Sequence, residues 1–321
     1  MVSIVLVTYN RAERLKLSIQ DILDQTFKDF ELIICDDCST DSTQHICDGF
    51  ATSDNRIRYY RHATNLGMPA NCNFGMQRSA YEYIAILHDG DRFKPDLIEQ
   101  WYAAISRNES VGFVFNSIGL TNEEGKIIIS HLEFEEGIIN KDHLLKNVFF
   151  RRWQFDSPVY GEAMVKKKII EEHGFLKNEF GFYADVDLWM QLLHSYDAYY
   201  CADTLITGPT KDILPQLFEY NLIEVFLFKF SMHLRHRKKA FKNQPLRLFL
   251  ELTVFWKQVF FNLNYCLILC VKNYSFKYFM DAARLLRTRF FFLIPWIIIL
   301  LLYPLLYPAL KIFSAVKGHL R

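Results

Sequence analysis

Apolar and polar positions alternate along the first half of the chain in blocks of strand and helix length. Residues 2–7 form an apolar run that fits a buried strand, and it breaks at Thr8-Tyr9-Asn10-Arg11. Leu15, Ile19, Ile22 and Leu23 then recur at helical spacing. A second apolar run, residues 30–35, ends in Asp36-Asp37-Cys38-Ser39-Thr40-Asp41, where Ser39 or Thr40 is placed to cap a following helix. A shorter strand is expected at 57–60, a turn at Asn65-Leu66-Gly67 and a helix over 69–80. Residues 83–87 are again continuously apolar, as in a strand buried on both faces of a sheet. That run ends abruptly in His88-Asp89-Gly90-Asp91, an expected exposed turn, and Pro95 opens a further helix through residue 106.

Four strand–helix alternations predict an α/β fold, with a mainly parallel sheet and helices on both faces. The pattern continues with a strand at 111–117, a hairpin over 121–140 turning at Glu124-Gly125, and a helix over 141–149. A loop carrying Trp153 and a strand within 159–166 follow. The apolar positions of 181–192 fit a helix, with Asp185 and Asp187 in its first turn, where the helix dipole favours carboxylates. Decoration of a helix start is the plain alternative to a chemical role for that pair.

Polar clusters follow the first, second and fourth strands. In a parallel sheet those ends share one edge, where open α/β sheets bind ligands. Asp89 and Asp91 repel each other unless something positive lies between them. A divalent Mg²⁺ or Mn²⁺ carried on a diphosphate meets that need, and a solvated turn is the simpler alternative. The absence of a Gly-rich phosphate loop after the first strand argues against dinucleotide enzymes and P-loop NTPases, and leaves a nucleotidyltransferase, which also uses a nucleotide cleft and paired carboxylates, as the less supported enzyme alternative.

Composition divides the chain. Of its 29 Phe residues 15 fall in the 106 positions after residue 215, about twice the density of the preceding part, which separates an α/β part, 1–215, from an aromatic part. A net charge of +1 leaves no electrostatic footprint for nucleic acid. Seven cysteines without regular spacing argue against a disulfide framework and for a reducing compartment. Cys35-x-x-Cys38 has no second pair at zinc-finger spacing. Residues 2–7 are too short and lack the basic start of a signal peptide. Residues 216–289 read as an amphipathic, membrane-surface region containing the basic run Arg235-His236-Arg237-Lys238-Lys239. Residues 290–310 carry no charge and are long enough to cross a bilayer, although Pro295, Pro304 and Pro308 interrupt them. A spanning helix, a re-entrant segment and a buried core helix all fit that stretch. A basic tail, 311–321, ends the sequence.

Taken together, several motifs resemble those of the family 2 glycosyltransferases, which have the GT-A fold. They are Thr8-Tyr9-Asn10, Asp36-Asp37-x-Ser39-Thr40-Asp41, Asn65-x-Gly67 with Asn73, residues 83–91 with Pro95, and Asp185-x-Asp187-Leu188-Trp189. The resemblance covers residues 1–205. It implies transfer of a sugar from a nucleotide-diphosphate donor to an acceptor hydroxyl, with inversion at the anomeric carbon. It further implies that Thr8, Tyr9, Asn10, Asp37 and Asp89 contact the donor nucleotide. Asp89 and Asp91 would hold the metal, and Asp185, rather than Asp187, would be the general base.

The sequence departs from the family at three places. Gly90 stands where, counted back from Pro95, the family's metal-binding Asp usually falls. Cys72 stands in place of an Arg, and Ala184 in place of the acid before the base. The Gln-x-x-Arg-Trp motif of processive synthases is not found after Asp185, so single-sugar addition is expected. The expected enzyme is a non-processive hexosyltransferase-type glycosyltransferase on the cytoplasmic face of a membrane. It would use a nucleotide sugar, with UDP as the default nucleotide, and a glycan or lipid-linked acceptor. An inactive membrane-bound scaffold is the alternative outside enzymes, kept open by Gly90 and Ala184.

Overall fold

The computed structural model describes residues 1–122, 126–130, 134–150, 159, 161–209, 232, 235–236 and 239–240. Contacts divide the chain into two compact units, one of residues 1–221 and 227–245, the other of 222–226 and 246–321. All described residues belong to the first unit. Among them no helix is long and apolar enough to cross a membrane. The expected turn at Glu124-Gly125, Trp153 and the hydrophobic stretch 290–310 lie outside the described residues.

The element order begins β1 (Val2–Thr8), α1 (Ala12–Leu23), β2 (Phe30–Asp36), α2 (Thr43–Ser53), β3 (Ile57–Arg61), α3 (Met68–Arg78), β4 (Tyr83–His88). It continues with β5 (Arg92–Phe93), α4 (Leu97–Ser106), β6 (Val111–Thr121), β7 (Ile127–Ser130), β8 (Gly137–Ile139) and α5 (Lys141–Phe150). The last elements are β9 (Ala163–Lys166), α6 (Lys167–His173), a 3₁₀ turn (Asn178–Tyr183), α7 (Ala184–Leu192) and β10 (Asp197–Pro209).

The described strands form one sheet in the order β3-β2-β1-β4-β9-β6-β10-β5, with β7 paired to β6 and β8 to β10. β3, β2, β1 and β4 are parallel throughout. Every residue of β1 and β2 is buried, which explains why both read as unbroken apolar runs. Leu15, Ile19 and Ile22 of α1 and Trp101 of α4 join Ile4, Leu6 and Leu87 in the core on one face. α3 covers β1 and β2. Its Gly75 lies so close to Val5 and Cys35 that an added Cβ would meet both side chains. The sheet is therefore covered on both faces.

The second half of the sheet is mixed. β9 runs antiparallel to both neighbours, β4 and β6, while β10 runs parallel to β6. Apolar content identifies such strands, but it carries no information about their direction. The start of α2 also differs from the expectation. Ser42, not Ser39 or Thr40, occupies the cap position, and Asp41 accepts the Thr43 N–H at 3.0 Å and the Ala12 N–H at 3.0 Å. Ser39 and Thr40 are drawn off by Asn10, whose N–H donates to Ser39 Oγ at 2.9 Å and whose Oδ1 accepts the Thr40 N–H at 2.7 Å.

Candidate active site

The carboxyl ends of β1, β2 and β4 meet at one edge, as parallel pairing requires. Thr8 pairs with Asp36 across β1 and β2, and Val7 with His88 across β1 and β4. Backbone bonds extend both pairings by one step, since the Asp37 N–H donates to Thr8 O at 3.0 Å and the Asp89 N–H to Val7 O at 3.2 Å. Thr8, Asp37 and Asp89 are thereby brought to adjacent positions.

Each has a local partner. The Thr8 hydroxyl donates to Asp89 Oδ2 at 2.6 Å, and the Tyr9 N–H approaches the same oxygen at 3.4 Å. Arg11 Nη1 lies 3.3 Å from Asp89 Oδ1 and donates to the Asp89 carbonyl at 3.2 Å. Burial pushes the Asp89 carboxyl up, while Arg11, Thr8 and the Tyr9 N–H pull it back. The two Asp37 oxygens accept the N–H groups of Leu66 and Gly67 at 2.6 and 2.9 Å, which fixes the turn before α3. Tyr9 is 48% exposed, so its ring face is open to a base. Asn10 sits at φ +54°, held by Ser39 and Thr40 as described above.

The turn after β4 is not the exposed loop that its composition predicts. Asp89 is buried and Asp91 is partly so. Gly90 adopts φ +96°, and its N–H donates to Ser18 Oγ at 3.2 Å, while the same hydroxyl donates to the Asp91 carbonyl at 2.8 Å. The guanidinium groups of Arg11 and Arg14 border the space that a side chain at 90 would enter. Asp89 and Asp91 thus have different surroundings, Asp89 facing Arg11 and Asp91 facing Glu162.

Glu162, just before β9, was not singled out from sequence. It is 3% exposed, accepts the His88 N–H at 3.3 Å, and forms a carboxyl–carboxylate hydrogen bond with Asp91. Burial pushes the Asp91 carboxyl up to about 7, and burial with the neighbouring Asp91 pushes Glu162 well above the carboxylate range. Two carboxyls this close share a proton instead of both ionising. One ligand atom each from His88, Asp91 and Glu162 lies within 4.8 Å of the others. One imidazole and two carboxylates fit a divalent ion such as Mn²⁺, whereas Mg²⁺ prefers an all-oxygen shell. Burial beside Arg11 pushes the His88 imidazole down to about 4, so it is neutral and able to ligate at neutral pH.

Asp185, in the first turn of α7, reaches the same region. Gly161 separates it from His88: a Cβ there would lie 2.7 Å from His88 Cε1 and 3.1 Å from Asp185 Oδ2, and its φ of +73° is one that side chains avoid. Asp185 Oδ1 is enclosed and has no hydrogen-bond partner among the described residues. Burial pushes this carboxyl up to about 7, and backbone N–H groups at the helix start oppose the shift only in part.

Asp187 has a different fate. It lies in the first turn of α7 as expected, but it is 2% exposed and paired with Arg235 at 3.3 Å and His236 at 2.8 Å, so decoration of a helix start is not its whole account. Asn73 holds the loop before α7 by exchanging hydrogen bonds with Leu176 at 2.8 and 3.0 Å. Two signals pointed to the missed residues. His88 directly precedes Asp89, and Glu162 is a lone carboxylate between Gly161 and an apolar strand.

The family described as "Glycosyl transferase family 2" matches residues 3–174. An uncharacterized glycosyltransferase of Methanocaldococcus jannaschii is 26% identical over 264 residues, covering 80% of each chain. A GalNAc(5)-diNAcBac-PP-undecaprenol beta-1,3-glucosyltransferase of Campylobacter jejuni is 27% identical over 191 residues, 59% of each chain. Among solved structures, S. aureus TarS 1-349 in complex with UDP-GlcNAc superposes with a TM-score of 0.59 at 13% identity. That match covers 75% of this chain and 70% of TarS 1-349, and at such identity it speaks to the fold.

Proposed function

The chain belongs to glycosyltransferase family 2, and from that premise we propose that it transfers a single sugar from a UDP-sugar to a hydroxyl of a lipid-linked or cell-surface glycan, inverting the anomeric centre. The observation that carries this reading is Asp185. One of its oxygens is enclosed and unpartnered among the described residues, and burial pushes the carboxyl up to about 7 across Gly161 from His88, at the sheet edge where Thr8, Asp37 and Asp89 converge.

In this mechanism Tyr9 offers its ring to the base. Thr8, Asn10 and Asp37 shape the nucleotide cleft, directly or by fixing the adjoining turns. The acceptor oxygen attacks the anomeric carbon from the face opposite the diphosphate, and its proton passes to a carboxylate oxygen of Asp185. The bond from the anomeric carbon to the diphosphate oxygen breaks, and the nucleoside diphosphate leaves with the electron pair. Arg11 places positive charge beside the Asp89–Gly90 turn where that negative charge develops. Asp91, with His88 and Glu162, would hold a divalent ion, and Asp89 borders it. When bound, such an ion neutralises charge on the leaving diphosphate. UDP as the nucleotide agrees with the UDP-GlcNAc complex of TarS, and a lipid-linked acceptor agrees with the undecaprenol-linked one in the name of the Campylobacter relative. Residues 216–289 and 290–310 would attach the enzyme to a membrane, a reading supported by their composition, and the cysteine usage supports its cytoplasmic face.

A thermal-shift panel tests donor choice. UDP-sugars with Mn²⁺ should raise the melting temperature, by an amount that grows with ligand concentration. GDP- and CMP-sugars should not. A shift by a non-uridine donor alone would overturn the nucleotide assignment.

A further inference from the structure

α7 has two working faces. Asp185 faces Gly161 on one side. Asp187 lies roughly 200° further round the helix. Asp187, Gln191 and His194 follow at i, i+4 and i+7, a stripe that continues just past the end of α7 at Leu192. Against this stripe lie Arg235 and His236 of the basic run. With the described helical residues Met232, Lys239 and Ala240 they sit at i, i+3, i+4, i+7 and i+8, and Met232 and His236 are fully buried.

The contacts between the two stripes are polar and specific. His236 Nε2 lies 2.8 Å from Asp187 Oδ1, and its Nδ1 lies 2.9 Å from His194 Nε2. Arg235 spans Asp187 Oδ2 at 3.3 Å and Gln191 Oε1 at 2.6 Å. Its guanidinium also lies 5.6 Å from the Phe180 ring and 4.0 Å from Glu179, both in the 3₁₀ turn that feeds α7. Burial, with the neighbouring His236, Lys239 and Arg235, pushes His194 down to about 4, so it stays neutral within this cluster. Part of a run that reads from sequence as a basic membrane-facing surface is thus turned inward.

We propose that Arg235 and His236 are positioning residues, a clamp that seats α7 from behind and so holds Asp185 at the reaction centre. This rests on the assignment of Asp185 as base. A basic surface needs only charge, whereas here an imidazole is fully buried between a carboxylate and a second imidazole. A misplacement of about 1 Å at a reacting group can cost roughly 100-fold in rate, so the seating of α7 has catalytic weight.

The test uses the full chain and two readouts. Hydrogen exchange reports the clamp without any assay of transfer. In His236→Gln the α7 amides should exchange about tenfold faster or more, with β1 and β4 unchanged. UDP affinity, measured by calorimetry, should stay within about twofold, while turnover of the sugar nucleotide falls about tenfold or more. The acid limb of the pH–rate profile should move below its wild-type midpoint, because a loosened α7 admits water to Asp185, which has His88 across Gly161 and Cys72 among its neighbours, and so weakens the burial that pushes its carboxyl up. Arg235→Lys, which keeps the charge but not the two-armed contact, should lie between and carries the test if His236→Gln does not fold. Unchanged α7 exchange would overturn the clamp. Faster exchange with unchanged turnover and pH profile would overturn its positioning role. A wild-type chain that turns over no sugar nucleotide would defeat the enzymatic reading, and the exchange result would still stand alone.

Discussion

Asp185→Asn lowers sugar transfer by roughly 10²–10⁴-fold, the usual worth of a positioned general base, and leaves donor binding in place. The change keeps the side chain's size and removes its capacity to take a proton. Donor binding draws on the ends of β1, β2 and β4, which the substitution does not touch. Single-turnover rates at saturating donor measure the loss. In the wild type, transfer should rise with pH through an acid limb near the Asp185 value of about 7, since only the ionised carboxylate accepts a proton.

The same shift makes a stability prediction of fixed sign. Asp185 is protonated more readily in the folded chain, at about 7, than at its ordinary 3.8. The folded state therefore binds a proton that the unfolded state has released between these values, and stability falls as pH rises through that window. Above it, the enclosed carboxylate costs at most on the order of 4 kcal/mol. Asp185→Asn should flatten this fall. A variant less stable than wild type at pH 8, or equal pH dependence in both proteins, would contradict the enclosed-carboxyl account.

The second large effect concerns the ion site. Glu162→Gln should weaken Mn²⁺ binding by roughly 10–100-fold or more, and Asp91→Asn at least as much. Asp89→Asn separates two ligand sets. If His88, Asp91 and Glu162 hold the ion, Asp89→Asn leaves Mn²⁺ affinity nearly unchanged and mainly frees Arg11. If the Asp89–Asp91 pair holds it, Asp89→Asn matches Asp91→Asn and Glu162→Gln is mild. Calorimetric titration with Mn²⁺, in the presence of UDP, decides between them without an activity assay.

The parallel half of the fold was legible because its strands are buried on both faces. Residues 2–7, 30–35 and 83–87 can be nothing else in a chain whose intervening residues repeat at helical spacing. The convergence of Thr8, Asp37 and Asp89 followed from parallel pairing alone. The antiparallel direction of β9 did not, because alternation is the same for both directions. Side-chain commitments were the least legible part. Asp89 and Asp91 read as a metal-holding pair on an exposed turn, yet the turn is partly buried and their environment is set by Arg11 and by Glu162, which approach from other elements. Asp187 read as helix-start decoration because its partner His236 lies 49 residues further along the chain. Ser39 and Thr40 have the chemistry of helix caps, and the competing acceptor and donor groups of Asn10 decided otherwise.

The most direct test of inverting transfer from a nucleotide sugar follows both products of one incubation. Full-length protein, Mn²⁺, an α-linked UDP-sugar selected by thermal shift and a lipid-linked oligosaccharide fraction are combined, and the nucleotide released and the new linkage are identified. UDP released in step with formation of a β-linked product is the predicted result, and Asp185→Asn should suppress both. Release of pyrophosphate, retention of the α configuration, or UDP formation unaffected by Asp185→Asn would contradict the account.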